Sequence, residues 1–195
     1  MFALKFRPLL VFLSLSAAWG AAPAGAALVQ KLNLDEMCSS ADRVFRGTVV
    51  EAHRGSAAVG GGEIPTVTYR LHVSETFKGS FEAENGQLFA EIRMVTSAAT
   101  SNSRRHSLLD FLPRLEVGSE YLLLTTRPSA SGLSTTVGLG QGCFSVTGPA
   151  TGATALNEVG NAGLFDRMTS PPAGWSGGPV SYDELRQRIQ GAVSP

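Results

Sequence analysis

Val67-Thr68-Tyr69-Arg70-Leu71-His72-Val73-Ser74 alternates apolar and polar residues without a break, and this period decides the fold class. Successive strand residues point to opposite faces, so Val67, Tyr69, Leu71 and Val73 face a core while their neighbours face water. Downstream, Asn85-Gly86 is a hairpin signal, and the strand Gln87 to Val95 places Leu88, Ala90, Ile92 and Met94 on one side. Upstream, Arg43 to Ala52 is rich in β-branched and aromatic residues, and Gly47 inside it marks a bulge or sharp coil. Gly55 to Pro65, with Gly60-Gly61-Gly62, predicts a flexible hairpin loop. Glycine triplets can cradle phosphate, but neither Lys-Ser/Thr nor a helix start follows these, so the stretch is read as a linker.

Further along, Ser97 to Ser107 is a polar excursion carrying Arg104, Arg105 and His106, a candidate interaction loop. A helical turn is predicted over Leu108 to Leu115, then a tight turn at Glu116-Val117-Gly118 into the strand Glu120 to Thr126. A second turn at Ser129 to Gly132 leads into a final strand from Leu133 to Val146. Thr147 to Pro179 is rich in Gly, Pro, Ala and Thr and predicts an irregular wrap with one extra strand near Ala162 to Phe165.

A helix stands at each end. Asn33 and Glu36 form a capping box with Leu32 and Met37 at the staple positions, and Leu34, Met37, Cys38 and Ala41 make one apolar face. Ser181 and Glu184 repeat the capping box, Val180 and Leu185 the staple, and Leu185, Ile189 and Val193 recur at spacing four. The acidic pairs Asp35-Glu36 and Asp183-Glu184 fall in first helical turns, where they complement the helix dipole, so they do not indicate acid–base catalysis.

At the N-terminus, Lys5 and Arg7 precede the apolar run Leu9 to Leu15, and Ala24-Gly25-Ala26 is a small-x-small cleavage pattern. A signal peptide over residues 1–26 is predicted, with a secreted or periplasmic product beginning at Ala27. The run is too short and too interrupted for a stable membrane anchor. Removing 26 of the 195 residues leaves 169, the size of one domain with appendages. Without Lys5 and Arg7 the balance is slightly acidic and no polybasic block remains, which argues against nucleic acid as a partner. Cys38 and Cys143 both meet an oxidising compartment, and their even count predicts a disulfide. Such a bridge would close about a hundred residues, worth roughly 4 to 5 kcal/mol in the chain-entropy picture.

Catalytic signatures are lacking. His53, His72 and His106 have no metal-binding spacing, and there is no GxSxG. No catalytic, cofactor-binding or metal residue is assigned, and the chain is read as a non-enzyme.

One helix followed by five strands, the first long and coiled, is the order of an OB-like barrel. Cys38-Ser39-Ser40-Ala41-Asp42-Arg43-Val44-Phe45-Arg46, within Met37 to Val50, resembles the Cys-x-x-Ala-Asp-x-Val-hydrophobic-Arg segment of the tissue inhibitors of metalloproteinases. Tyr69-Arg70-Leu71 with Phe77-Lys78-Gly79, Glu120-Tyr121-Leu122-Leu123 and Gly142-Cys143-Phe144 resemble later steps of that family in the same order. The resemblance covers residues 32 to 147 and implies an all-β, five-stranded netrin-type OB barrel over 27–147; composition and the second capping box add an irregular extension over 148–195 ending in the C-terminal helix. It also implies an exported, non-catalytic protein-binding module of inhibitor type, with a secreted metalloprotease as partner. Contacts would come from Ala27, Leu28 and the arm to Asn33, and from the loops at Gly60 and at Arg104, Arg105 and His106. In the family a first-residue cysteine chelates the protease zinc; this chain has Ala27 there, so that mode is not carried over. The alternative is a structural or ligand-binding envelope protein on the same scaffold, and a hydrolase without a recognisable motif comes third.

Overall fold

Asn33 caps the first helix of the described residues. Its side chain accepts from the Glu36 amide, and the Glu36 carboxylate accepts from the Asn33 amide, so α1 (Leu34–Ser40) has the predicted capping box. This computed structural model describes residues 30–96 and 112–194. The predicted signal peptide, Ala27, Leu28 and the Arg104-Arg105-His106 segment lie outside the described residues, as does half of the helical turn predicted at Leu108 to Leu115; the described half, 112–115, is not helical.

Eight strands follow: β1 (Arg43–Val59), β2 (Gly62–Lys78), β3 (Glu82–Glu84), β4 (Gln87–Val95), β5 (Glu120–Thr125), β6 (Cys143–Thr147), β7 (Thr154–Asn157) and β8 (Val180–Ser181), before the final helix α2 (Tyr182–Val193). All pair antiparallel in one sheet of order β3-β4-β2-β1-β5-β6-β7-β8. The protein is therefore mostly β, but the expected closed five-stranded barrel is not what forms: the sheet ends in β3 on one side and β8 on the other. The segment after β5 does approach β4, through a bridge from Thr125 to Thr136 and a hydrogen bond from the Ser134 amide to the Arg93 carbonyl (2.9 Å).

Adjacent residues on the central strands enter different cores. Phe45, Tyr69, Leu71, Val73, Ile92, Met94, Leu123 and Cys143 pack on one face. Val44, Leu122, Leu124, Phe144 and Val146 pack on the other, under Leu34, Met37 and Cys38 of α1, Leu185 and Ile189 of α2, and Leu164 and Phe165. This period-two split corrects the disulfide expectation. Cys38 sits on the helix-covered face and Cys143 on the opposite one, and both are free, buried thiols.

Several local readings change for physical reasons. The stretch 55–65 is not a loop: β1 and β2 continue to Val59 and Gly62, and only Gly60-Gly61 turn, at φ of 61° and 81°. Glycine supplies that left-handed geometry without a steric penalty. Leu88 is exposed, because β4 pairs there with the short edge strand β3 and no core lies beneath it. The strand expected from Leu133 to Val146 forms only at Cys143–Thr147; before it stand a single bridge at Thr136 and a 3-10 turn at Leu139–Gly142. The extra strand forms at Thr154–Asn157 rather than near Ala162 to Phe165, which instead supplies two core side chains from successive turns. The second capping box does not form, since Ser181 is held in β8 opposite Thr154 and Glu184 pairs with Arg188 (3.1 Å).

Gly47 marks the predicted irregularity, a register shift in the β1–β2 ladder. A Cβ there would lie 2.7 Å from the His72 carbonyl oxygen, whereas at Gly55 the nearest atom is Thr66 Oγ1 at 3.6 Å. Gly47→Ala is expected to lower the unfolding free energy by about 1–3 kcal/mol through this overlap with backbone, and Gly55→Ala to stay within about 0.5 kcal/mol. Urea denaturation of the two variants checks the expectation, and equal stability would contradict the close approach of β1 to β2.

Candidate functional site

Four buried amides connect residues 30–34 to the C-terminal half of the chain: Asn33, Gln141, Asn157 and Asn161. Gln141 is placed by the 3-10 turn. Gly142 beside it is confined, because a Cβ there would meet the Val137 carbonyl at 2.5 Å. The Gln141 side chain treats the arm as a neighbouring strand would: its Oε1 accepts from the Leu32 amide and its Nε2 donates to the Gln30 carbonyl, both at 2.9 Å. Asn33 donates to the Asp166 carbonyl (2.8 Å) and the Leu34 amide to the Leu164 carbonyl (2.8 Å).

The far side of the network is equally satisfied. Asn157 donates to the Gln141 carbonyl (2.9 Å), and Asn157 and Asn161 exchange hydrogen bonds between side-chain oxygen and backbone amide at 2.9 and 2.6 Å. Asn161 also donates to the carbonyls of Ala155 and Gly178. Buried polar groups cost several kcal/mol when unpaired and rigidify when fully paired. The arm over residues 30–33 is thus fixed to the body without being a strand of the sheet. Arg167 adds an ion pair to Glu36 at 3.0 Å, and its exposure makes that a minor contribution.

Next to this clamp lies an open cleft of about 520 Å³, walled by Arg114, Glu116 and Glu158 and floored by Tyr121, Cys143 and Ser145. Glu158 is exposed as a residue, yet its carboxyl turns in against Gly140, where an added Cβ would lie 2.8 Å from Oε2. Loss of water there raises its pKa, opposed by a hydrogen bond from the Arg114 backbone and by the Arg114 charge. Burial also raises the Cys143 thiol, with the Glu158 charge adding to the effect. Cys38 is pushed up to about 12, by burial first and Asp35 second, against Lys78. Both cysteines are therefore poor nucleophiles.

The remaining candidate groups are scattered. His53 pairs with Glu51 at 2.9 Å on β1, and His72 lies against Phe89 with ring centroids 5.7 Å apart. Among the described residues there is no group of three His, Cys, Asp or Glu side chains placed to hold a metal ion. Gln141, Asn157, Asn161 and Glu158 escaped sequence reasoning. The available signal was Gln141 itself, a lone amide between Gly140 and Gly142 in a stretch read as strand. No family model matches the chain, and no curated protein matches it either.

Because folding favours the protonated Glu158, its stabilising contribution is complete below the ordinary carboxylate pKa and is lost as pH rises through the raised value. Glu158→Gln is therefore expected to raise Tm at pH 7 and to lose that advantage near about pH 3, where the wild-type carboxyl is also neutral. Thermal denaturation at the two pH values tests this, and a lower Tm for the variant at pH 7 would contradict the desolvated setting of the carboxyl.

Proposed function

We propose that this is an exported, non-catalytic protein-binding module that acts in the manner of a protease inhibitor, with the arm leading into Asn33 as its contact edge. The observation that carries the reading is the grip of Gln141 on Gln30 and Leu32. Ala27 lies three positions before Gln30, so an arm starting at Ala27 extends at most about 10 Å from a fixed base. A short segment held at its base loses little conformational entropy on binding, which is the physical advantage of a preorganised inhibitor edge. The sequence resemblance to the tissue inhibitors of metalloproteinases supports a secreted metalloprotease as the target. Ala27 in place of a zinc-directed cysteine favours contact through the flank of the arm rather than through chelation.

A ligand-binding envelope protein is the second reading. The cleft beside Glu158 and Arg114 favours it, being concave and polar on one side of a rigid sheet.

Titration of the chain beginning at Ala27 against purified secreted metalloproteases separates these readings. Inhibition is expected to survive one extra residue before Ala27 and to weaken about tenfold or more in Gln141→Ala, which frees the arm. Inhibition abolished by the extra residue would establish zinc chelation instead. Absence of binding to any secreted protease would remove the inhibitor reading and leave the cleft.

A further inference from the structure

The Gly60-Gly61 turn fixes which backbone groups of the β1–β2 ribbon point outward. Residues flanking a two-residue hairpin turn form a hydrogen-bonded pair, here Val59 and Gly62. Alternation makes Ala57–Ile64, Gly55–Thr66 and His53–Thr68 hydrogen-bonded pairs as well. The N–H and C=O groups of Ala52, Arg54, Ser56 and Ala58 are therefore directed away from β2. An independent bond agrees: the Thr96 amide donates to the Pro65 carbonyl (3.0 Å), so Pro65 faces β4 and its partner Ser56 faces outward.

On that outer side β5 covers β1 only to Thr48, with the last bonds at Val49. Among the described residues no backbone pairs with β1 from Ala52 to Ala58 on its outer side. The Arg93 guanidinium donates to the Ser56 carbonyl, which leaves that oxygen a second lone pair. Left uncovered by the described residues, the edge from Glu51 to Val59 is roughly 30 Å long. Natural edges of this length are blunted by charged side chains, proline or bulges; this one holds Glu51, His53 and Arg54 at one end and only Gly, Ser, Ala and Val from Gly55 to Val59.

We propose that this edge pairs antiparallel with the same edge of a second copy of the chain, about a two-fold axis at Gly55. Full overlap of residues 51–59 puts Ala52 opposite Ala58 and Arg54 opposite Ser56 of the other copy. These are the outward-facing residues, so every bond is made in both directions, as an isologous contact requires. Moving the axis to Arg54 sets two arginines directly opposite, and moving it to Ser56 shortens the overlap.

Charge favours a second copy as the occupant. Arg54 is exposed and has no ion pair among the described residues. Ser56 Oγ donates to Glu63 Oε2 at 2.8 Å, so Glu63 lies over Ser56, on the face that Arg54 of the second copy would share. Two-fold symmetry forms this Arg54–Glu63 pair twice. A generic extended peptide would have no such complement.

Opposite residues in a non-hydrogen-bonded antiparallel pair have Cα atoms about 4.5 Å apart, within the span of a disulfide. Gly55→Cys in the exported chain is expected to give a disulfide-linked dimer under mild oxidation, while Ser74→Cys, exposed elsewhere, gives none. By sedimentation velocity the wild type is expected to dimerise reversibly. Arg54→Glu and Glu63→Arg should each raise the dimer Kd by about tenfold or more, and the double swap should restore it. A wild type that stays monomeric over its whole soluble range would overturn the proposal, and so would a dimer indifferent to both charge reversals.

Discussion

The alternation of neighbouring residues on β1, β5 and β6 is the constraint on which the rest of the structure depends. Val44 and Phe45, Leu122 and Leu123, and Cys143 and Phe144 each send one side chain to either face of a single sheet. A sheet that is apolar on both sides at its centre must be covered twice. One face closes on strand side chains such as Leu71, Ile92 and Met94, with Leu115 added from the segment before β5. The other recruits α1, α2 and the turns carrying Leu164 and Phe165, and so draws both ends of the described chain onto the same strands.

The polar clamp follows from that second covering layer. Bringing residues 30–34 against 138–166 buries amide-rich turns that no strand satisfies, and Gln141, Asn157, Asn161 and Asn33 supply the missing donors and acceptors. Outside it, Arg46 links the layers electrostatically. It pairs with Glu120 at 2.7 Å and stacks 4.3 Å above the Tyr182 ring, while the Tyr182 hydroxyl donates to Glu75 at 2.6 Å. Burial, then Glu75, hold the Tyr182 phenol far above its usual pKa, so this contact of α2 with β2 persists through the neutral range.

Strong local periodicity was legible, and what depended on partners was not. The alternation at Val67 to Ser74, the Asn33 cap, the Asn85-Gly86 turn and the irregularity at Gly47 are written in single residues, and each has its structural counterpart. The ribbon beyond Ala52 was misread because Gly60-Gly61-Gly62 signals flexibility in isolation, while pairing along β2 keeps both strands extended to the turn itself. Thr154–Asn157 is short and weakly patterned, and it becomes a strand only because β6 offers an edge. The disulfide expectation counted cysteines correctly. Connectivity, however, is a matter of which face each residue occupies, and that is set by the packing of α1 for Cys38 and by strand alternation in β6 for Cys143. The clamp amides lay in segments read as strand or coil, where a single Gln or Asn carries no periodic signal.

The two-faced sheet is tested most directly by the state of Cys38 and Cys143 in protein recovered from an oxidising compartment. Mass spectrometry after alkylation in denaturant, without reductant, is predicted to find both thiols modified, and the same reagent is predicted to leave the native protein unmodified, since both side chains are buried. Denatured, unreduced protein that takes up no label would mean the two cysteines are bonded. They would then share one side of the sheet, and the division of the core into two faces would be wrong.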